Sequence, residues 1–240
     1  MNKFFFCGLL IAIGGWGWDG NQILHGNPAN KPYQNNPDAI AFVETYLPNA
    51  LPLSSDAEVL HYASDFAPPE GALIELGVWK GRTINFLAAL NPHRIIFGFD
   101  SFLGLPENWD KGNHVFPQGQ FAWPSDQPLP FYSHNIVLIK GWFADTLPSF
   151  IETALQGEKI ALIHIDCDIY SSTKTALHIL GSHMIDGTIL VFDELYNYPN
   201  YRAHEWMAFQ EFLEEFSFEA EYIAYNPLHE QVAIRLHQIK

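Results

Sequence analysis

The chain has 240 residues, of which 48% are hydrophobic, so it is long enough to bury one sizeable core. Its 27 Asp and Glu residues outnumber its 12 Lys and Arg residues, which gives a formal net charge of −15. A chain this acidic is expected to repel nucleic acid and anionic membrane surfaces, so partners of both kinds are excluded. The charge suits a small neutral or cationic ligand, or a divalent metal ion.

The N-terminal region does not show the pattern of a folded domain. The apolar run Phe4–Ile13 is too short to span a bilayer, and it fits a signal-peptide core, a mispredicted start or a packed arm. Residues 20–38 are rich in Asn, Pro and Gly, which indicates a linker. We therefore expect an arm over residues 1–40 and one domain over residues 41–240. With only two cysteines and no disulfide framework, a reducing, cytoplasmic location is expected.

Strand-like and helix-like runs alternate along the rest of the chain. Asp38 is placed to cap a first helix over residues 39–46. The predicted strands are short and apolar: Ala72–Leu76, Arg94–Phe99, Ile136–Ile139, Ile160–Ile165 and Thr188–Phe192. The predicted helices are Thr83–Leu90, Asp145–Leu155, Ser171–Leu180 and Ala203–Phe216. This alternation is typical of βαβ units on a parallel sheet whose two faces are covered by helices.

The end of the chain has a different pattern. The runs Phe218–Tyr225 and Gln231–Leu236 flank a turn and predict an antiparallel hairpin. Five parallel strands followed by such a hairpin favour a Rossmann-like α/β fold of the class I methyltransferase type, with a seven-stranded, mostly parallel sheet. A dehydrogenase sheet fits this order of elements less well.

One connection, Ser101–Asn135, is much longer than the others. Long connections in compact domains are usually functional or disordered. This one contains seven Phe, Trp and Tyr residues, a composition that argues against disorder. We interpret it as a lid that faces the substrate.

A glycine turn follows the first predicted strand and opens a helix. Its spacing is G-x-x-x-G, which differs from the G-x-G-x-x-G of dinucleotide sites, so a cofactor without a pyrophosphate is favoured. A plain strand-to-helix turn is the alternative. The residues predicted to bind a cofactor here are Glu75, Gly77, Val78, Lys80, Gly81 and Thr83.

The ends of the next two strands add further candidates for a nucleoside site. The carboxylate of Asp100 can accept hydrogen bonds from both ribose hydroxyls, although a turn residue is the alternative. Ser101 and Phe102 follow, and the Phe102 ring can cover an adenine face. After the third strand, Gly141-Trp142-Phe143 offers open space and an aromatic border, unless the aromatic side chains are core residues.

Carboxylates crowd the ends of the fourth and fifth strands. Asp166-Cys167-Asp168 follows one strand and Asp193-Glu194 follows the next. Clustered acids repel each other in a partly dry site, and Mg²⁺ relieves that repulsion with the oxygen ligands it prefers. Helix N-capping is the alternative role.

These acids are assigned separate roles in a methyl transfer. Asp166, Asp193 and Glu194 are predicted to hold the metal, and Asp166 also to border the cofactor. Asp168 is predicted to be the general base. Such a reaction is an in-line displacement that needs a positioned, deprotonated oxygen, which a metal and a carboxylate together provide.

Five motifs in one order resemble the macrocin O-methyltransferase family, which methylates sugar hydroxyls of antibiotics. The motifs are Glu75–Gly81, Phe99–Pro106, Gly141–Pro148, His164–Thr173 and Phe192–Glu194. The resemblance covers roughly residues 55–236. It implies S-adenosylmethionine at the glycine turn and Asp100, Mg²⁺ at the strand-end acids, a base at Asp168, a small-molecule acceptor and a homo-oligomer.

The chain departs from the family pattern at two positions. Where the family usually has Asp-Gly-Asp, this chain has Asp166-Cys167-Asp168, and where the family has Asp-Asp, it has Asp193-Glu194. Glu194 has the longer side chain, so its reach toward a metal is a point for the structure to decide.

Two other functions fit parts of the sequence. Asp166-Cys167-Asp168 matches the D-x-D pattern of metal-dependent glycosyltransferases, but that reading leaves the glycine turn and Asp100 unexplained. A non-catalytic nucleoside-binding protein would keep the sheet and would not need the acids. The sequence does not identify the acceptor, because acceptor choice depends on loops.

Overall fold

The computed structural model describes residues 36–239. Most of the predicted N-terminal arm, including Phe4–Ile13 and Cys7, lies outside the described residues. Across residues 36–239, no helix combines the length and the apolar character required to cross a lipid bilayer.

One sheet organises the fold. Its strands are β1 (Leu51–Pro52), β2 (Ala72–Leu76), β3 (Ile96–Asp100), β6 (Ile136–Lys140), β7 (Ile160–Ile165), β8 (Ile189–Phe192), β9 (Phe218–Tyr225) and β10 (Val232–Gln238). They lie in the order β1-β9-β10-β8-β7-β2-β3-β6. The five predicted parallel strands and the antiparallel hairpin β9–β10 are confirmed, with ends displaced by at most two residues.

The sheet has one strand more than the predicted seven. The extra strand β1 has two residues and pairs in parallel with the end of β9, so it lengthens the sheet at that edge. Apart from this addition, the five parallel strands and the antiparallel hairpin are those of the predicted Rossmann-like sheet.

Helices cover both faces of the sheet. They are α1 (Pro37–Tyr46), α2 (Asp56–Phe66), α3 (Arg82–Leu90), α4 (Phe143–Phe150), α5 (Tyr170–Leu180) and α6 (Glu205–Phe216). A π-helical turn, Ile151–Leu155, continues α4, so the predicted single helix Asp145–Leu155 changes its hydrogen-bond pattern partway along.

The predicted cap of the first helix was wrong. Asn36 is the N-cap, and its side chain accepts a hydrogen bond from the backbone N–H of Asp38 at 3.0 Å. Asp38 instead pairs with Arg202 in the loop before α6. Both residues are good capping types, so only the tertiary partner separates them.

The helix α2 was not predicted. It begins with Ser55, whose hydroxyl accepts a hydrogen bond from the Glu58 N–H at 3.1 Å. A serine followed three residues later by a glutamate is a known signature of a helix start, and it could have revealed this element. The buried residues Val59, Leu60 and Ala63 pack α2 against the sheet.

The core lies on both faces of the central strands. β2, β7 and β8 are buried along their full length, as expected for parallel strands covered on two sides. A cluster of aromatic rings joins α1 to this core. In it Phe42 stacks on Tyr196 and meets the edges of Tyr201 and Trp206.

The long connection Ser101–Asn135 is structured, in agreement with its aromatic composition. It contains a short antiparallel pair, β4 (Trp109–Asp110) and β5 (Val115–Phe116). Its far end is fixed by Asn85 of α3. That side chain donates to the carbonyl oxygens of Gly81 and Phe131 and accepts from the Ser133 N–H.

Asn135 closes the same segment. Its amide nitrogen donates to the carbonyl oxygens of Ala88, Asn91 and Arg94, each at 3.1 Å. The connection, which we call the lid, is therefore a folded segment attached to α3 and to the loop after it.

Candidate active site

Five loops meet at the carboxyl edge of the parallel strands. Backbone hydrogen bonds link four of these loops to the end of a neighbouring strand: Gly77 N–H to Phe99, Gly141 N–H to Asp100, Asp166 N–H to Leu76 and Asp193 N–H to Ile165, each at 2.9 Å. The predicted cofactor residues and the predicted metal residues therefore lie at the same rim of the sheet. Ligands bind at this edge in open α/β sheets.

The glycine turn requires its two glycines. Gly77 has φ +92° and Gly81 has φ +75°, values that side-chain-bearing residues adopt at a cost. A Cβ atom on Gly77 would lie 1.7 Å from the carbonyl oxygen of Asp166. The backbone of the glycine turn is thus in direct contact with the loop that carries the strand-end acids.

Asp100 fixes the glycine turn. Its Oδ2 accepts hydrogen bonds from the N–H groups of Val78 at 2.9 Å and Trp79 at 2.7 Å. Its Oδ1 accepts from the Phe102 N–H at 2.6 Å. These three bonds leave one lone pair of the carboxylate, on Oδ1, so Asp100 can also accept from a ligand hydroxyl.

Glu75 lies beneath the turn and is fully buried. Its Oε1 accepts from the Thr83 hydroxyl at 2.9 Å, and its Oε2 lies 3.0 Å from Nδ1 of His164, at hydrogen-bond distance. Contact with this carboxylate raises the pKa of His164, against the opposing effect of burial. These two contacts of Glu75 hold β2, β7 and the start of α3 together beneath the glycine turn.

The predicted aromatic residues fall into two groups. Trp79 and Trp142 remain partly exposed beside the turn, with 39% and 38% of their surface accessible. Phe102 is buried, and Phe143 packs against the core, which does not favour a direct ligand contact for either ring. Of the polar candidates, Lys80 is exposed above the Trp79 ring, and Ser101 accepts from the Leu103 N–H.

Three carboxylates come together beside the glycine turn, and we call Asp166, Asp168 and Glu194 the acid cluster. One oxygen of each lies within 4.8 Å of the others. Asp168 adopts φ +69°, because the chain leaves the β7 direction after Ile165. The long side chain of Glu194 does reach the group.

Asp193 does not belong to the group of three, although it was predicted as a metal ligand. Its Oδ1 accepts from the Gln231 side chain at 3.1 Å. It lies near the cluster nonetheless, since after burial its charge contributes most to the raised pKa of Asp166. The structure thus groups Asp168, the predicted base, with two of the three predicted metal ligands.

Three charged residues of this region were not predicted from the sequence. Glu205, the first residue of α6, is fully buried and accepts from the Glu194 N–H at 3.3 Å. Lys111 of the lid and Glu230 of the β9–β10 turn form an ion pair of 2.6 Å. A signal for Lys111 was present, because it is the single Lys or Arg in Ser101–Asn135.

Burial and mutual repulsion control the protonation of these acids. Burial, followed by the charges of neighbouring carboxylates, raises the pKa values of Asp166, Glu194 and Glu205 well above the ordinary range. Burial also raises the pKa of Asp168 to about 7, while the positive charge of Lys111 opposes that shift. A carboxylate with this pKa is suited to accept a proton near neutral pH.

These raised pKa values predict how metal-free stability depends on pH. The folded state binds more protons than the unfolded state between the ordinary carboxyl pKa and the raised values, so stability falls as pH rises through that window. We expect chelator-treated protein to unfold at lower denaturant concentration at about pH 8 than at about pH 5.5. In Asp168→Asn the difference should be smaller, and an equal difference in both proteins would contradict the assignment.

The donor atoms fit a hard divalent cation. Carboxylate oxygens are the ligands that Mg²⁺ prefers. Oε2 of Glu194 and Oε1 of Glu205 are buried and have no hydrogen-bond partner. Buried carboxylate oxygens without partners are costly, and a cation beside Glu194 would satisfy them.

The residues on the other side of Gly77 fit an adenosyl cofactor. The first turn of α3 has no side-chain cap, so its N–H groups remain available to a carboxylate. Asp100 offers acceptor capacity beside the partly exposed rings of Trp79 and Trp142. Tyr132 closes this side, because a Cβ on Gly81 would lie 2.7 Å from its ring.

Comparison with known proteins identifies O-methyltransferases among the relatives of this chain. The family model of macrocin-O-methyltransferase (TylF) matches residues 67–220. A protein of Streptomyces olivaceus, 8-demethyl-8-(2,3-dimethoxy-alpha-L-rhamnosyl)-tetracenomycin-C 4'-O-methyltransferase, is 31% identical over 142 residues. That match covers 52% of this chain and 52% of the relative, so the chain spans about half the length of that protein.

Two solved structures share the fold. The calicheamicin methyltransferase CalS11 is 26% identical, with a TM-score of 0.59, over 93% of this chain and 99% of that one. The O-methyltransferase NovP is 21% identical, with a TM-score of 0.53, over 77% and 79% of the two chains. Another CalS11 structure is described as a TDP-rhamnose 3'-O-methyltransferase.

Proposed function

This chain belongs to the macrocin O-methyltransferase family, and from that premise we propose that it transfers a methyl group from S-adenosylmethionine to a sugar hydroxyl with the help of a divalent metal. The observation that carries the proposal is the contact between Gly77 and the Asp166 loop. It brings a turn suited to an adenosyl cofactor and the acid cluster into one site.

The cofactor and the metal supply the chemistry that the side chains lack. S-adenosylmethionine brings a methyl group on a positively charged sulfur, and Mg²⁺ lowers the pKa of a hydroxyl beside it. In the proposed roles, Gly77, Gly81 and Asp100 hold the cofactor, while Asp166 and Glu194 hold the metal. Asp193 remains a proposed ligand that would have to turn from Gln231.

Asp168 is the proposed base. Its pKa of about 7 lets it accept the proton of the acceptor hydroxyl near neutral pH. With the cofactor bound, that oxygen would take the methyl group as the carbon–sulfur bond breaks, and the proton would stay on the Asp168 carboxyl. Because positive charge on sulfur would be lost, exclusion of water by the lid would favour the reaction.

A sugar is the proposed acceptor. The descriptions of the Streptomyces olivaceus relative and of CalS11 both name rhamnose. The lid carries the exposed ring of Phe131. Exposed aromatic faces suit the apolar face of a sugar ring. A homo-oligomer remains a prediction.

Removing the metal is expected to stop turnover. With S-adenosylmethionine labelled in its methyl group and a panel of rhamnosides, other glycosides and catechols, EDTA should lower the rate by about 100-fold or more. Excess Mg²⁺ should restore it. Undiminished turnover in EDTA would rule out the metal role and leave the methyl transfer intact.

The same experiment separates the alternatives. Transfer of label to a glycoside supports the proposed substrate class, and transfer to a catechol alone would replace it. Calorimetric binding of a UDP-sugar with Mn²⁺, without binding of S-adenosylmethionine, would favour the glycosyltransferase reading of Asp166-Cys167-Asp168.

A further inference from the structure

Lys111 is a lysine with the surroundings of a core residue. It lies in the lid next to the hairpin strand β4, and its side chain is only 12% exposed. Its backbone is fixed on both sides, since its N–H donates to the His114 carbonyl at 2.9 Å and its carbonyl accepts from the Asn200 N–H at 3.3 Å. A buried ammonium group is costly unless partners surround it.

Three groups surround the Lys111 ammonium. Nζ lies 2.6 Å from Oε2 of Glu230, 4.4 Å from the centre of the Trp109 ring and 4.5 Å from the centre of the Tyr198 ring. Two ring faces and one carboxylate form a well-defined cation site. Lys111, a residue of the lid, occupies that site.

This cation site adjoins the acid cluster. Tyr198 follows Glu194 by four residues, and the Glu230 carbonyl accepts from the N–H of Leu195, the residue after Glu194, at 3.1 Å. The charges interact in both directions. Burial lowers the pKa of Lys111, but the charges of Glu230 first, and then of Glu194 and Asp168, raise it; Lys111 in turn opposes the rise of the pKa of Asp168.

We propose that Lys111 is a positioning residue: it is a counter-ion on the lid that stabilises the metal-free acid cluster. A divalent cation that binds the cluster is repelled by this ammonium group. The inference rests on the metal role proposed above. It makes the lid a determinant of metal affinity, although the lid contributes no predicted metal ligand. Glu230 shields Lys111, so the two residues should have opposite effects on the bound metal.

Two substitutions test whether Lys111 lowers the affinity for Mg²⁺ and whether Glu230 opposes that effect. Lys111→Met keeps the length of the side chain and removes its charge, so Mg²⁺ affinity should rise by about tenfold because repulsion is lost. Glu230→Gln leaves Lys111 unshielded, so Mg²⁺ affinity should fall by a similar factor. Lys159→Met makes the same charge change at an exposed site before β7 and should leave the affinity unchanged.

Mg²⁺ affinity is measured by calorimetry on the full chain, without cofactor or acceptor, so the result does not depend on turnover. Unfolding curves in EDTA provide a second readout, in which Lys111→Met should be less stable than the unmodified chain and Mg²⁺ should restore more of the loss. If Lys111→Met fails to fold, Glu230→Gln still tests the sign. Unchanged affinity in both variants would overturn the inference.

Failure of the inference differs from failure of the proposed function. If the unmodified chain binds Mg²⁺ and the variants bind equally well, Lys111 is an anchor of the lid only. If the unmodified chain binds no Mg²⁺, the metal role falls, and the inference falls with it.

Discussion

Gly77→Ala is expected to destabilise the protein by about 3 kcal/mol and to lower kcat/KM by about 100-fold or more. The new Cβ would lie 1.7 Å from the Asp166 carbonyl oxygen, so one of the two loops must move. The backbone there, at φ +92°, adds conformational strain for alanine. Movement of either loop displaces the cofactor turn from the acid cluster.

Gly157→Ala is the matched control. Its φ of +87° is close to that of Gly77, but a Cβ there meets nothing within 4 Å. It should therefore show the conformational cost alone, about 1 kcal/mol, with activity retained. Thermal unfolding and calorimetry with S-adenosylmethionine measure both variants. Equal losses in the two would show that close packing of the loops at Gly77 is unimportant.

Asp168→Asn is expected to lower kcat by about 100- to 10,000-fold, because the amide cannot accept the proton of the acceptor hydroxyl. Affinity for S-adenosylmethionine should change little, since the cofactor residues Gly77 and Asp100 are untouched. Removal of a buried negative charge should also raise metal-free stability near pH 8.

Asp65→Asn makes the same chemical change on the exposed surface of α2 and should leave kcat unaltered. Single-turnover kinetics with labelled cofactor, over a range of pH, distinguish a base from a ligand. If Asp168 only holds the metal, excess Mg²⁺ should rescue the variant. Full activity without added metal would reject both roles.

The strands of the sheet could be predicted from the sequence because a strand that is buried on both faces requires a continuous apolar run. The strands β2 and β7 match their predicted limits at both ends. Local signals were ambiguous at the first helix, where Asn36 and Asp38 are both suitable caps. The helix α2 has a local signal in Ser55 and Glu58, which mark its start.

The sequence predicted those site residues that lie in the loops after successive strands. It did not predict residues that pair across long stretches of the chain. Gly77, Asp100 and Asp166 meet because the carboxyl ends of parallel strands share an edge. Lys111 and Glu230 are 119 positions apart, and no short-range pattern joins them. The hydrogen bond from Gln231 to Asp193 joins residues 38 positions apart, so no short-range pattern indicates it either.

The attachment of the lid constrains any redesign of acceptor choice. Asn85, outside the lid, holds the segment through Phe131 and Ser133. A chimera that receives a relative's segment in place of Ser101–Asn135 would lose these bonds unless the graft also supplies a compatible residue at position 85. Exchange of acceptor preference among such enzymes therefore requires the replacement of two separate stretches of chain: the segment Ser101–Asn135 and the helix α3, which holds that segment.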